Sequence, residues 1–100
     1  MVIWTAHAIR QLRHIHNHIA HDSPIYAKRV SDALVRKTLL LEDLPRLGRV
    51  VPEFEDQSIR EIPMYSYRII YELKTNHIDV LAVIHKRRNL KNENMEQAFS

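Results

Sequence analysis

The sequence predicts an α+β protein in which an N-terminal helical hairpin packs on one face of a small antiparallel β-sheet. Residues 67–73 alternate between large apolar side chains and others, which is the pattern of a strand with one buried face. Residues 78–84 are apolar on both phases except for Asp79, as expected for a central strand. Upstream, two amphipathic segments separated by a short polar turn predict two antiparallel helices.

Length and composition limit the possible classes of protein. The 100 residues fit one domain, 1–100, in which residues 89–100 are expected to form a short helix or a frayed tail. The chain has no cysteine, which excludes a disulfide framework and thiolate chemistry. No segment resembles a signal peptide, and no apolar run approaches the ~20 residues that span a bilayer. We therefore expect a cytoplasmic protein that makes no membrane contact.

The elements follow in a clear order from the N-terminus. Residues 2–4 are a strand candidate too short to stand alone, and we expect them at the edge of the main sheet. Thr5 supplies the N-cap of a first helix that runs to about Ala20. Ser23 and Pro24 suit the N-cap and first position of the second helix.

Four histidines share the outer face of the first helix: His7, His14, His18 and His21. Their spacing could hold a metal ion. No Asp, Glu or Cys supports them from nearby helix positions, so the pattern favours a solvated face. We predict no metal site and no cofactor.

The second helix is expected to end at Leu44 and Pro45, because the residue before a proline disfavours helical geometry. Residues 45–58 are then predicted to form turns and a loop. They contain the only glycine, Gly48, at which the sequence predicts a positive φ.

The last two strands are predicted to form a hairpin around a polar turn at residues 74–77. A symmetric turn would pair Leu73 with Ile78, Tyr71 with Val80, Ile69 with Ala82 and Tyr67 with Ile84. Those pairs would face the helices. A second turn at Met64 and Tyr65 would place Glu61 opposite Arg68 and Ile59 opposite Ile70.

The other sheet face would then carry an apolar stripe edged by cations. Its predicted members are Ile59, Ile70, Leu81 and Val83. Such a face needs a partner, and the cations at the end of the last strand point to an acidic or phosphate-bearing one.

Six short motifs stand in an order that resembles the RelE/ParE superfamily of type II toxin–antitoxin toxins. They are Trp4-Thr5, Asp22-Ser23-Pro24, Leu44-Pro45-x-x-Gly48-Arg49, Arg60-Glu61, Tyr67-Arg68-Ile69-x-Tyr71 and His85-x-x-Arg88. The resemblance covers about residues 1–90 and agrees with the predicted fold. It implies a cognate antitoxin that wraps over the apolar stripe, and contact with operator DNA only through that antitoxin.

The superfamily divides by target into toxins that cut mRNA in the ribosome and toxins that inhibit DNA gyrase. RNA cleavage needs an acid, a base and cations for the phosphate, for which His85, Glu53 and Arg68 are the candidates. That set is incomplete, because no lysine lies between Lys37 and Lys74 and no tyrosine follows Tyr71. We therefore assign no catalytic residue.

The patterns around Gly48-Arg49 and His85-x-x-Arg88 favour the ParE branch, whose members inhibit gyrase and need no hydrolytic centre. The predicted target-binding residues are Arg49, Arg60, Arg68, His85, Arg87 and Arg88. Two alternatives stay open: a ribosome-dependent mRNA endonuclease, and a non-toxic module that only binds its antitoxin.

Overall fold

Two helices lie against one face of a five-stranded sheet in the computed structural model, which describes residues 1–90. The elements are β1 (Val2–Trp4), α1 (Ala6–Ala20), α2 (Pro24–Leu39), β2 (Arg49–Val50), β3 (Ile59–Met64), β4 (Tyr67–Leu73) and β5 (Ile78–His85). The strand order is β1-β5-β4-β3-β2. The helix or tail predicted at 89–100 lies, from residue 91, outside the described residues.

The predicted helical hairpin on a small sheet is confirmed, with two differences in the sheet. Strand β2 lies within residues 45–58, which were predicted to be turn and loop. Strand β1 adds to the edge as expected, but it runs parallel to β5, with Val2 beside Ile78 and Trp4 beside Val80. The other strand pairs are antiparallel. The chain between these two parallel neighbours contains both helices and strands β2, β3 and β4, which is far longer than the connection that a parallel pair needs.

Both helices begin where the sequence predicts. The Thr5 hydroxyl accepts a hydrogen bond from the Ala8 amide at 3.2 Å, and the Ser23 hydroxyl accepts one from the Tyr26 amide at 3.1 Å. Helix α2 ends earlier than predicted, at Leu39, and continues as a 3₁₀ turn over Leu40–Glu42. Neither helix within residues 1–90 is long and apolar enough to cross a membrane.

A β-bulge at Leu81 changes the predicted hairpin register. Leu73 pairs with Ile78 and Tyr71 with Val80 as expected. The register then shifts between Tyr71 and Ile70, and the predicted partners of Ile69 and Tyr67 are wrong. Those two residues pair with Val83 and His85 instead. The extra residue turns Val83 toward the helices and Ala82 and Ile84 toward the opposite face.

The turn between β3 and β4 lies one residue later than predicted, at Tyr65 and Ser66. Tyr65 takes the left-handed conformation, with φ of 55°, that this turn requires. Glu61 therefore pairs with Ile70, and Ile59 pairs with Glu72. The two pairings predicted across this hairpin, Glu61 with Arg68 and Ile59 with Ile70, are wrong.

Each face of the sheet has its own apolar core. The first core lies under the helices and contains Ile15, Val30, Leu34, Leu41, Ile62, Ile69, Tyr71, Val80 and Val83. The second core lies on the opposite face and contains Val51, Ile59, Ile70, Leu81, Ala82, Ile84 and Leu90, with Phe54 packed against it. Residues 51–58, the covering segment, and Leu90 thus close over the face that was predicted to be open.

The predicted open antitoxin stripe is corrected by this arrangement. Ile59, Ile70 and Leu81 do lie on the face away from the helices, but they are buried in the second core. Val83 is buried in the first core, because the bulge turns it to the helix side. These four side chains form no exposed surface.

Gly48 is needed for close approach and not for a positive φ, so that prediction was wrong. A Cβ at this position would collide with the Glu61 carbonyl oxygen and lie 2.8 Å from the Tyr71 hydroxyl oxygen. That hydroxyl accepts a hydrogen bond from the Gly48 amide and donates one to the Pro45 carbonyl, each at 2.9 Å. Glycine lets the chain pass directly over the sheet at this point.

Candidate functional site

Arg68 is the centre of a buried ion-pair network at one end of the sheet. Its guanidinium contacts the Glu61 carboxylate at 2.6 Å and the Glu53 carboxylate at 2.9 Å, and it donates to the Arg88 carbonyl at 2.9 Å. Glu61 lies diagonally across the β3–β4 ladder from Arg68, within reach of a long side chain. Taken together, these hydrogen bonds use all five N–H donors of the guanidinium.

The same network attaches the covering segment to the sheet. Glu53 belongs to that segment, and its carboxylate accepts from the Leu90 amide at 2.9 Å as well as from Arg68. The hydrogen bonds from Arg68 lower the pKa of Glu53 from 4.5 to about 2, against the opposing effect of burial. The pKa of Arg68 is raised, chiefly by its hydrogen bonds to Glu53. Both groups are therefore charged at neutral pH and paired with each other.

Beside this network lies the strand-end cleft, an open space of about 660 Å³. It is lined by Leu47, Gly48, Arg49, Pro52, Glu53, Glu61, Ile62, Pro63, Arg68 and Lys86. Arg49 pairs with Glu61 at 2.9 Å, but its side chain is 74% exposed. Lys86 is exposed on the other rim. The cleft thus has a buried charged floor and exposed cations at its rim.

His85 and Arg87 are exposed just beyond β5. The Nδ1 atom of His85 accepts from the Arg87 amide at 3.2 Å, which leaves Nε2 to carry the proton of the neutral ring. The Tyr67 ring meets His85 edge-on, with centroids 6.2 Å apart. These contacts hold the imidazole in a defined orientation at the end of the sheet.

The six predicted target-binding residues differ in how exposed they are and in whether other parts of the chain already bind them. Arg49, His85, Arg87 and Arg88 are exposed at the end of the sheet. Arg60 is half-buried and donates to the carbonyls of Gln57 and Gly48 at 3.1 Å and 3.0 Å. The side chain of Arg68 is only 11% exposed and is fully engaged within the chain, so its assignment to an external target is corrected.

The nuclease candidates are not assembled as a catalytic group. Glu53, the candidate base, has a pKa far below neutrality and already accepts from Arg68 and Leu90. A general base works best with a pKa near the operating pH. Arg68, the candidate phosphate ligand, has no donor left over. His85 binds a different partner, the Arg87 amide.

Lys86, which lines the strand-end cleft, was missed from the sequence. Glu61 was predicted to lie opposite Arg68; the two residues are diagonal instead, but their side chains do pair, and Glu61 is the buried acid that joins Arg49 to Arg68. Glu61 lies between Ile59 and Pro63 at alternate positions of β3, and a charge among apolar residues on one strand face needs a partner.

The chain matches, over residues 2–90, the family model described as ParE toxin of type II toxin-antitoxin system, parDE. It belongs to the ParE toxin family. The predicted resemblance to the RelE/ParE superfamily, and to its ParE branch, is confirmed. Membership makes the chain the toxin type of a two-protein system, in which the second protein is an antitoxin.

Solved structures agree with the ParE fold. Nine chains match, and one comes from a structure described as "Chromosomal ParDE TA system from P. aeruginosa". It has a TM-score of 0.70 and 20% sequence identity, and the match covers 84% of this chain and 92% of that one. At this identity the likeness establishes the shared ParE fold alone. A comparison with curated proteins found no significant match.

Proposed function

We propose that this ParE-family chain is a toxin that inhibits DNA gyrase and that a cognate antitoxin neutralises it. The Arg68 network supports this proposal over a nuclease function. A nuclease of this fold would need the arginine and a carboxylate free to act on RNA, and both are committed to each other inside the protein. An inhibitor acts by binding and needs no such pair.

The exposed cations at the end of the sheet suit a binding function. Arg49 and Lys86 border the strand-end cleft, and Arg87 is exposed beyond β5. Cations at a rim steer an acidic partner and raise the rate of encounter. Gyrase acts on DNA, so its working complex presents phosphates as well as protein surface. We assign target contact to Arg49, Lys86 and Arg87, with His85 and Arg88 beside them.

The antitoxin contact must differ from the predicted open stripe. Ile59, Ile70 and Leu81 become available only if the covering segment or Leu90 is displaced, because those groups bury them. An antitoxin that bound there would need to break the contacts between Glu53 and both Arg68 and Leu90. We propose that it leaves the second core closed and binds the surface of the folded toxin.

The test is a supercoiling assay with purified gyrase, run beside a ribosome-programmed mRNA cleavage assay. We expect the protein to inhibit supercoiling and to leave the mRNA intact, and we expect added antitoxin to restore supercoiling. The double variant Lys86→Ala/Arg87→Ala should raise the inhibitory concentration at least about tenfold, since charged contacts across an interface contribute of the order of 1.5 kcal/mol or more each.

The matched control is Lys28→Ala/Arg29→Ala, which removes the same two charges from the exposed surface of α2. It should inhibit gyrase as the wild type does. His85→Gln should also keep its activity, since the ring takes part in no proton transfer in a binding mechanism. Cleavage of mRNA that is lost in His85→Gln, with gyrase unaffected, would establish the nuclease alternative instead.

A further inference from the structure

We propose a second ligand site, formed by the histidine face of α1 and the end of the sheet, that binds a phosphate group attached to a nucleoside. The site is a cleft of about 440 Å³, within the range of small-molecule pockets. We call it the histidine cleft. It is lined by His7, Arg10, Gln11, His14, Ile15, His18, Tyr67, Val83, Ile84, His85 and Arg88. It shares no lining residue with the strand-end cleft.

The side chains that line the histidine cleft favour an anionic ligand. Four imidazoles and two guanidinium groups line it, and its lining among residues 1–90 includes no Asp or Glu. Arginine forms paired hydrogen bonds to phosphate oxygens, and imidazole N–H groups donate to them as well. A cluster of donors that includes cations and no carboxylate favours a phosphate over a neutral ligand.

One end of the cleft adds a surface for a planar group. Ile15 and Val83 lie beneath the cleft but are almost fully buried, and the side chain of Ile84 is in the core of the opposite sheet face, so the surface open to a ligand is that of the Tyr67 and His85 rings. Ligand sites combine such apolar and aromatic walls with a few polar groups that fix orientation. A base can pack on this surface while its phosphate meets Arg10 and the imidazoles, which is why a nucleotide fits better than phosphate alone.

His7 lines the cleft, but one of its ring nitrogens is itself buried. Its Nε2 atom is buried and has no hydrogen-bond partner within the described residues. Buried polar atoms are nearly always paired, because an unpaired one costs free energy. The groups of this helix that are open to a phosphate are therefore the exposed side chains of Arg10, His14 and His18. A metal ion is not the occupant we propose, since no group of three or more potential ligands converges within residues 1–90.

The ligand could be a free nucleotide or the phosphorylated end of a nucleic acid, and a titration followed by two-dimensional NMR distinguishes these sources. The probes are adenosine 5′-monophosphate, adenosine, and a short single-stranded oligonucleotide with and without a 5′-phosphate. We expect the monophosphate to shift the signals of cleft residues, and adenosine to do so at least about tenfold more weakly, as loss of hydrogen bonds to charged groups implies. A clear preference for the 5′-phosphorylated oligonucleotide would assign the site to nucleic-acid ends.

The variant Arg10→Gln should weaken binding of the monophosphate at least about tenfold. Arg13→Gln is the matched control, because it removes the same charge from an exposed position of α1 that does not line the cleft. Equal weakening by both variants would show only general attraction to a basic chain and would overturn the site. The proposal also fails if millimolar monophosphate shifts no cleft signal, or if an acidic peptide binds better than either phosphate probe. None of these outcomes depends on whether the protein inhibits gyrase.

Discussion

Arg68 shows how a single residue can lose its expected role through its neighbours. An arginine near the end of a toxin strand suggested contact with a phosphate or a protein target. In the folded chain two carboxylates and a backbone carbonyl take all its donors. A buried charge left without a partner is costly, so this arginine and its two acids stabilise the fold only as a set.

The ion pair between Glu53 and Arg68 makes the stability of the fold sensitive to acid. The pKa of Glu53 is about 2 in the folded protein and near 4.5 when the contacts are lost. A carboxyl with a depressed pKa stabilises the fold above its unfolded value and loses that effect as the pH falls. We expect a loss of up to about 3 kcal/mol between pH 5 and pH 2. Urea unfolding across this range measures it.

The matched variants are Glu53→Gln and Glu55→Gln. Both remove one carboxylate from the covering segment, but Glu55 is exposed. The Glu53→Gln protein should be less stable than the wild type at pH 7 by roughly 1.5–3 kcal/mol. Its free energy of unfolding should also fall less steeply than that of the wild type as the pH is lowered. If the two variants behave alike, Glu53 does not anchor the segment.

Among the elements, the short strand β2 depends most on one close contact. Gly48 precedes it and packs against the β3 backbone and the Tyr71 hydroxyl. We expect Gly48→Ala to destabilise the protein by roughly 1–3 kcal/mol, because the added methyl group forces the chain off the sheet. The melting temperature measures the effect. The control is Thr75→Ala, in the exposed β4–β5 turn, which should leave the melting temperature nearly unchanged. A Gly48→Ala protein that melts at the wild-type temperature would contradict the close approach.

Periodicity in the sequence predicted the elements well and their register poorly. The caps at Thr5 and Ser23 are local signals, and both are confirmed. The bulge at Leu81 adds one residue to an otherwise continuous apolar run, where no polar side chain marks the change of face. The predicted hairpin brought Glu61 near Arg68, but the ion pair between Arg68 and Glu53 depends on where the covering segment lies, which no pattern within one strand shows.

For the molecule as a whole, the sheet is shared by two cores, and Leu90 closes the second. Its side chain is fully buried, although it lies beyond the last strand. We expect Leu90→Ala to cost about 2–5 kcal/mol in free energy of unfolding and to open the second core to a hydrophobic dye. Urea titration and dye fluorescence measure the two effects.

Leu44→Ala is the matched control for this prediction. The substitution is the same, but Leu44 is 54% exposed and lies in the loop after the helices. It should change the free energy of unfolding by no more than about 0.5 kcal/mol. A Leu90→Ala protein that is as stable as Leu44→Ala would mean that the covering segment closes the second core without the C-terminal contact.

The position of β5 between β1 and β4 has a consequence for synthesis of the toxin. The ribosome makes this strand after every other strand of the sheet, yet both cores pack against it. At about 5–20 residues per second, residues 1–85 take roughly 4–17 s to translate, and neither core can close during that time. A message that is cut or abandoned before residue 78 therefore releases a fragment without its central strand, and such a fragment cannot fold into an active toxin.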